Sequence, residues 1–270
     1  EDWFSSDFIV WLSIISAFSL VSFVIAELYS KNPVVNLKAF KNLSFSTGNI
    51  VVFMGFFNLF ASIVLLPIYL QTLMGYTSYL AGFVLGPGGI ATLIALPLAG
   101  SLVNKVNPRA LLYFGIIVNA YATYLMSNFN LNADFYTVIW PRVVLGIGMG
   151  FFFIPLTTMT MASIKKEDMG NASAIYNLLR NLGGSFGVAF VTTILARRAQ
   201  FHQARLVEHL TPFDRDYQIF SGQSSQFLEY KGVESALSEQ GGLGIMYKEL
   251  LRQASMLSFN DAFFLVCIML

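Results

Sequence analysis

Arg180 lies nine residues past Asn171 in an apolar run and is flanked by Asn177 and Asn181. On a helix that is about 14 Å along the axis, near the middle of a bilayer if the helix crosses one. A charge at that depth costs roughly 2.5–3.5 kcal/mol on insertion scales, so it is a functional candidate by default. It would attract an anionic group or lower the pKa of a neighbouring carboxyl. The plain alternative is an arginine satisfied by carbonyls of the next helix. Arg142 stands about two turns from the end of another apolar run and can snorkel to the interface. The acids at run boundaries, Glu27 and Asp261, read as ordinary flanking charges, and neither is a convincing proton carrier. Asn58 and Asn119 fit hydrogen bonds between helices better than ligand contacts.

Other chemistry finds no support. His202 and His209, with Glu208 beside the latter, do not make a metalloprotease pattern, and no serine or cysteine nucleophile has a nearby base. No glycine-rich loop ends in Lys-Ser or Lys-Thr. One cysteine, Cys267, cannot form an intramolecular disulfide, and no Cys/His cluster has zinc spacing. Enzyme, metal and cofactor readings therefore drop out. A formal net charge of +1 excludes a generally basic nucleic-acid binder.

The elements that would position the arginines follow from composition. Of 270 residues, 56% are apolar and 11% charged, against roughly 25% charged in a soluble domain. Too few charges remain to cover a water-facing surface, which predicts an all-α membrane protein. Runs of the required length, about 20 residues, begin with 7–26. Residues 42–104 carry no charge and divide at Gly75-Tyr76-Thr77-Ser78 into spans 47–73 and 79–103. Spans 110–129, 136–164 and 171–196 follow, and a further one begins at Asn260. The chain starts with Glu1 and stops inside an apolar run, which predicts a piece of a longer protein. The expected organisation is a linker span (1–29), a flat amphipathic segment (30–46), spans over 47–196, a long polar loop (197–258) and the start of a last span (259–270).

Lysines and arginines set the orientation. Lys31, Lys38, Lys41, Lys105, Arg109, Lys165 and Lys166 fall in the loops after the first, third and fifth spans, while the loops after the second and fourth have none. The former are expected inside and residues 197–258 outside; Arg197 and Arg198 are the exception. The sequons at Asn42 and Asn171 then lie inside and read as chance. In the loop, 199–210 continues the sixth span with helical spacing until Thr211-Pro212 breaks it, Ser221 to Ser225 reads as a flexible stretch, and 226–239 and 243–257 look helical, separated by Gly241-Gly242. The plain reading is a connector that returns the chain; the alternative, favoured by a length beyond what a connector needs, is a docking surface for another protein.

Close helix contacts are expected at Gly82 and Gly86, Gly146 and Gly150, and Gly183 and Gly187, each pair four residues apart. Pro87, Pro97 and Pro155 lie inside spans, as bends of a moving helix do.

Several of these residues carry a family resemblance. The loop Gly100-Ser-Leu-Val-Asn104-Lys105-Val-Asn107-Pro108-Arg109 resembles the cytoplasmic signature of the major facilitator superfamily, with Asn104 at its acid and Asn107 at its second glycine. Arg142-Val-Val-Leu145-Gly146-Ile-Gly148 resembles the Arg-x-x-Gln-Gly-x-Gly signature of drug:proton antiporters, with Leu145 for glutamine. Phe153 to Thr158 and Gly170 through Arg180 to Gly187 resemble the second half of fourteen-span exporters of the EmrB/QacA type. The resemblance implies a six-helix C-terminal bundle preceded by one linker helix. It also implies an N-terminal half carrying the acids of proton coupling, a periplasmic adaptor of the EmrA type, an outer-membrane channel, and the inner membrane of a Gram-negative bacterium. The expected function is proton-coupled efflux of hydrophobic, drug-like substrates by alternating access, with a metabolite or siderophore transporter and a non-transporting scaffold as rivals.

Overall fold

The computed structural model describes residues 6–29, 37–208 and 210–270. Among them the chain is helical and without strands: α1 Asp7–Tyr29, α2 Leu43–Thr72, α3 Ser78–Leu102, α4 Pro108–Met126, α5 Phe135–Met161, α6 Met169–Glu208, α7 Arg215–Tyr230 and α8 Ser235–Ile268. The first six are long and apolar enough to cross a membrane.

Local chemistry explains where four of the spans begin. Asn42, Thr77, Asn107 and Asp134 precede α2 to α5, and each accepts a hydrogen bond from an amide of the first turn. Such caps satisfy donors that the helix cannot. The hydroxyl and amide of Thr137 hold the Asp134 carboxyl below the usual carboxylate range.

The spans pack by partner rather than by sequence order. α2 lies against α6, and α3 against α5; α5 also packs on α4, while α8 closes on α6 and α4. The short turn at 75–78 is as expected, yet α2 and α3 touch little. Asn42 Nδ2 donates to the Ser163 carbonyl (3.2 Å), joining the start of α2 to the end of α5. At the other end Tyr69 Oη donates to the Asn130 carbonyl (2.9 Å), its ring stacked on Phe129 and edge-on to Phe259. α1 stands apart, and none of its described side chains is buried.

Two expectations are corrected here. Within 197–258 the helix expected over 199–210 runs on to Glu208 as part of α6, but Ser221 to Ser225 lie inside α7 instead of in a flexible stretch, and α8 runs straight through Gly241-Gly242. A helical glycine costs only about 1 kcal/mol, and these two mark a contact instead of a break. A Cβ at Gly241 would come 2.6 Å from Leu228 Cδ1, and one at Gly242 2.7 Å from Ser225 Oγ. The two glycines let α8 lie close against α7 in a hairpin whose turn is made at Gly232, at a φ of 88°. The amphipathic segment expected at 30–46 falls partly outside the described residues (30–36); 37–41 form a short 3-10 turn, and α2 has begun by Leu43.

Candidate functional site

α6 is seated on α2 by its glycines. A Cβ at Gly183 would lie 2.3 Å from the Phe53 carbonyl oxygen, and one at Gly187 2.3 Å from that of Phe57. Around this seam the rings of Phe53 and Phe186, and of Phe57 and Phe190, pair across the two helices. These four rings are thus spent on packing.

Arg180 sits beside that seam. Its guanidinium lies over the Phe56 ring, 5.0 Å from the centroid, and no acid pairs with it among the described residues. The side chain is exposed, as are Asn177, Asn181 and Ser185, and Asn177 bonds only the Ser173 carbonyl of its own helix (3.0 Å). These four make a polar stripe facing away from the bundle. Next to it Phe60, Asn181, Ser185, Val188 and Thr192 line an open groove of about 620 Å³. A polar stripe turned to lipid would be costly, so this face needs water or another protein surface opposite it.

Arg142 belongs to a different helix pair. Its aliphatic stem crosses Gly88 of α3, where a Cβ would come 2.8 Å from Arg142 Cγ, and its Nε is buried without a partner among the described residues. The expectation that it snorkels fails at that atom because the bare glycine lets the stem lie flat. Beside it, Thr92 Oγ1 donates to the carbonyls of Gly88 and Gly146 (3.0 Å each), tying α3 to α5. Nothing brings Arg142 to Arg180. Asn58 is buried and donates to the Val266 carbonyl of α8 (3.0 Å). Asn119 is buried flush against Gly148, with its amide unpartnered among the described residues.

The remaining glycines divide. A Cβ at Gly146 would strike the Gly88 carbonyl oxygen at 2.1 Å, and one at Gly150 the Ala95 Cβ at 2.4 Å, both on α3. Gly82, Gly86 and Gly100 have nothing described within 4 Å of the Cβ position. The close glycine of α3 is therefore Gly88, two residues past the expected pair and on the opposite side of the helix, because the face that meets α5 is the one carrying Gly88, Ala95 and Ala99. Pro87 and Pro155 lie within α3 and α5, each leaving a carbonyl one turn earlier without a helix donor. In the turn between α3 and α4, Asn104, Lys105 and Arg109 are exposed with no ion pair among the described residues. Asn107 has a local use as the α4 cap (Oδ1 to the Arg109 amide, 3.0 Å).

The structure also assembles a cluster that spacing did not reveal. Asp261 of α8 accepts from Arg198 Nε and meets His202 Nε2, both of α6, at 2.6 Å. Arg198, one of the two exceptions to the charge rule, is thereby ion-paired. His209 lies outside the described residues. Asp261→Asn should cost the full-length protein about 1 kcal/mol, read as a lower Tm and faster amide exchange at the α6–α8 junction; an unchanged Tm and exchange rate would remove the pin.

The bundle and its glycine-seated, arginine-bearing helices define an all-α, multi-pass membrane protein. A profile described as Major Facilitator Superfamily matches residues 3–188, and the chain belongs to that family. It is similar to the fatty acid resistance protein FarB of Neisseria gonorrhoeae (34% identical over 97% of this chain and 50% of the relative). It is also similar to the multidrug export protein EmrB of Escherichia coli (32%, 98% and 50%) and to the colistin resistance protein EmrB of Acinetobacter baumannii (26%, 85% and 44%). The chain thus spans about half the length of the curated relatives it matches.

Proposed function

We propose that this chain is the C-terminal half of a proton-coupled exporter of hydrophobic and amphipathic compounds, working by alternating access in a bacterial inner membrane. The observation that carries the reading is the outward polar stripe of α6 with Arg180 at its centre, inside a span otherwise built for lipid. In an alternating-access transporter such a face lines the cavity between two six-helix halves. The unpaired cation there selects compounds with a negative group on an apolar body, in keeping with relatives named for multidrug export and fatty acid resistance.

Between Leu43 and Ala196 the acids are Asp134, Glu167 and Asp168, all outside the helical spans. The family resemblance places the acids of proton coupling in the N-terminal half, and in this reading the present half supplies the fixed positive charge. In this reading the α7 end of the hairpin lies on the periplasmic side, and exposed Phe213, Phe227 and Tyr230 offer an adaptor of the EmrA type and its outer-membrane channel a surface. An enzyme reading gains no support from relatives named as exporters and resistance proteins. The test is transport by the full-length protein in proteoliposomes: an imposed pH gradient should drive uphill movement of amphipathic substrate with matching proton flux. Movement without proton flux, or no movement beside ready metabolite transport, would refute it.

A further inference from the structure

We infer that the bundle holds a second station for an anionic amphiphile, distinct from Arg180: a cleft between α2, α6 and α8 at the α7 end, lipped by Lys248 and Arg252. The inference rests on the proposed substrate chemistry but on different residues. The cleft measures about 510 Å³, and its walls are apolar, from Ile68 and Leu73 on α2, Leu195 on α6, and Leu251 and Phe259 on α8. Lys248 and Arg252 are one turn apart on α8 and both exposed, whereas Phe259 lies about 16 Å further along the helix. Charge at one end and hydrocarbon below it is the shape of an amphiphile.

The charges decide what fits. Arg252 is held only loosely by Glu249 (3.6 Å), a residue that lines the neighbouring cleft instead. The acid nearest in sequence on the descending part of α8, Asp261, is occupied by Arg198 and His202. Lys248 has no carboxylate partner among the described residues. Of the four hydroxyls lining the cleft, those of Thr72, Thr192 and Ser258 give their hydrogens to carbonyls of their own helices, which leaves Ser255 beside the two cations as a donor. Flanking cations on an ordinary span sit on the perimeter, whereas these two line a concavity. Thr192 lines both this cleft and the groove beside Asn181, so the two adjoin, and Arg180 lies about 18 Å of helix rise away from the shared residue. A carboxylate or phosphate on an apolar tail would pass from one cation to the next along α6.

The test uses the full-length transporter in nanodiscs, a diazirine-bearing hexadecanoic acid and its methyl ester, with adducts mapped by mass spectrometry. The acid should label residues 192–199 and 251–259, the ester should not, and the double variant K248Q/R252Q should lower labelling about tenfold. K248R/R252K should restore it. Arg180→Gln should leave this labelling intact, so failure of the Arg180 reading and failure of this one are told apart. Two supporting outcomes separate the source of the headgroup. If the double variant raises the transport KM with kcat unchanged, the station serves the exported compound. If transport is unaffected and phosphatidylglycerol competes for the label, it holds a bilayer lipid. Equal labelling by acid and ester, or labelling untouched by the double variant, overturns the proposal.

Discussion

Replacing Gly187 by valine should prevent the full-length transporter from being recovered as a folded, monodisperse species. Even a bare Cβ there falls 2.3 Å from the Phe57 carbonyl oxygen, and backbone on both sides leaves no flexible chain end to yield. Restoring contact distance means moving α6 off α2 by more than an ångström along its length, breaking the Phe57–Phe190 and Phe53–Phe186 pairs. Overpacking of this kind costs about 1–3 kcal/mol for an alanine and more for a branched residue. Gly183→Val should behave alike, since Gly183 meets Phe53 in the same way. Gly222→Ala in α7 is the control. It has open space around it and should be neutral or slightly stabilising through helix propensity. Thermal unfolding of Gly187→Ala in detergent decides the matter, and a Tm equal to that of the parent would mean the seam is not close-packed.

The second large effect concerns the charge on that seam. Arg180→Ala should abolish resistance while expression and Tm hold, because the side chain is exposed and supports little packing beyond its contact with Phe56. Losing a charge-assisted contact to a substrate anion is worth roughly 2–3 kcal/mol, or about 30- to 150-fold in KM. Arg180→Lys should keep part of the function, since the charge remains while the flat stacking on Phe56 is lost. A neutral substrate of the same shape should be indifferent to both changes. Unchanged resistance in Arg180→Ala would take the residue out of the mechanism, whereas a loss accompanied by lower Tm would show a structural arginine.

The caps of α3 to α5 stand in the sequence as Thr77, Asn107 and Asp134, each just before a span expected from 79, 110 and 136, whereas Asn42 is hidden inside a stretch that reads as a flat surface segment, and α2 begins four residues before the expected 47. The stripe of Asn177, Arg180, Asn181 and Ser185 was legible in part: its residues stood out as polar in an apolar span, but not as a single face turned outward. Gly241-Gly242 misled, because a glycine pair marks a helix end as readily as a helix contact, and only the position of Leu228 and Ser225 tells which. Asp261 looked like a flanking charge because its partners lie some sixty residues earlier on another helix.

Span number, span limits and membrane location are set by hydropathy and capping, which act over a few residues and are therefore written locally. Pairing is not. Lipid is as apolar as a helix interface, so the membrane gives no amphipathic signal saying which face of a span turns inward. That α6 sits on α2, that α3 meets α5 through Gly88 and not Gly82 or Gly86, and that Asp261 finds Arg198 and His202 were settled by close packing between segments distant in the chain.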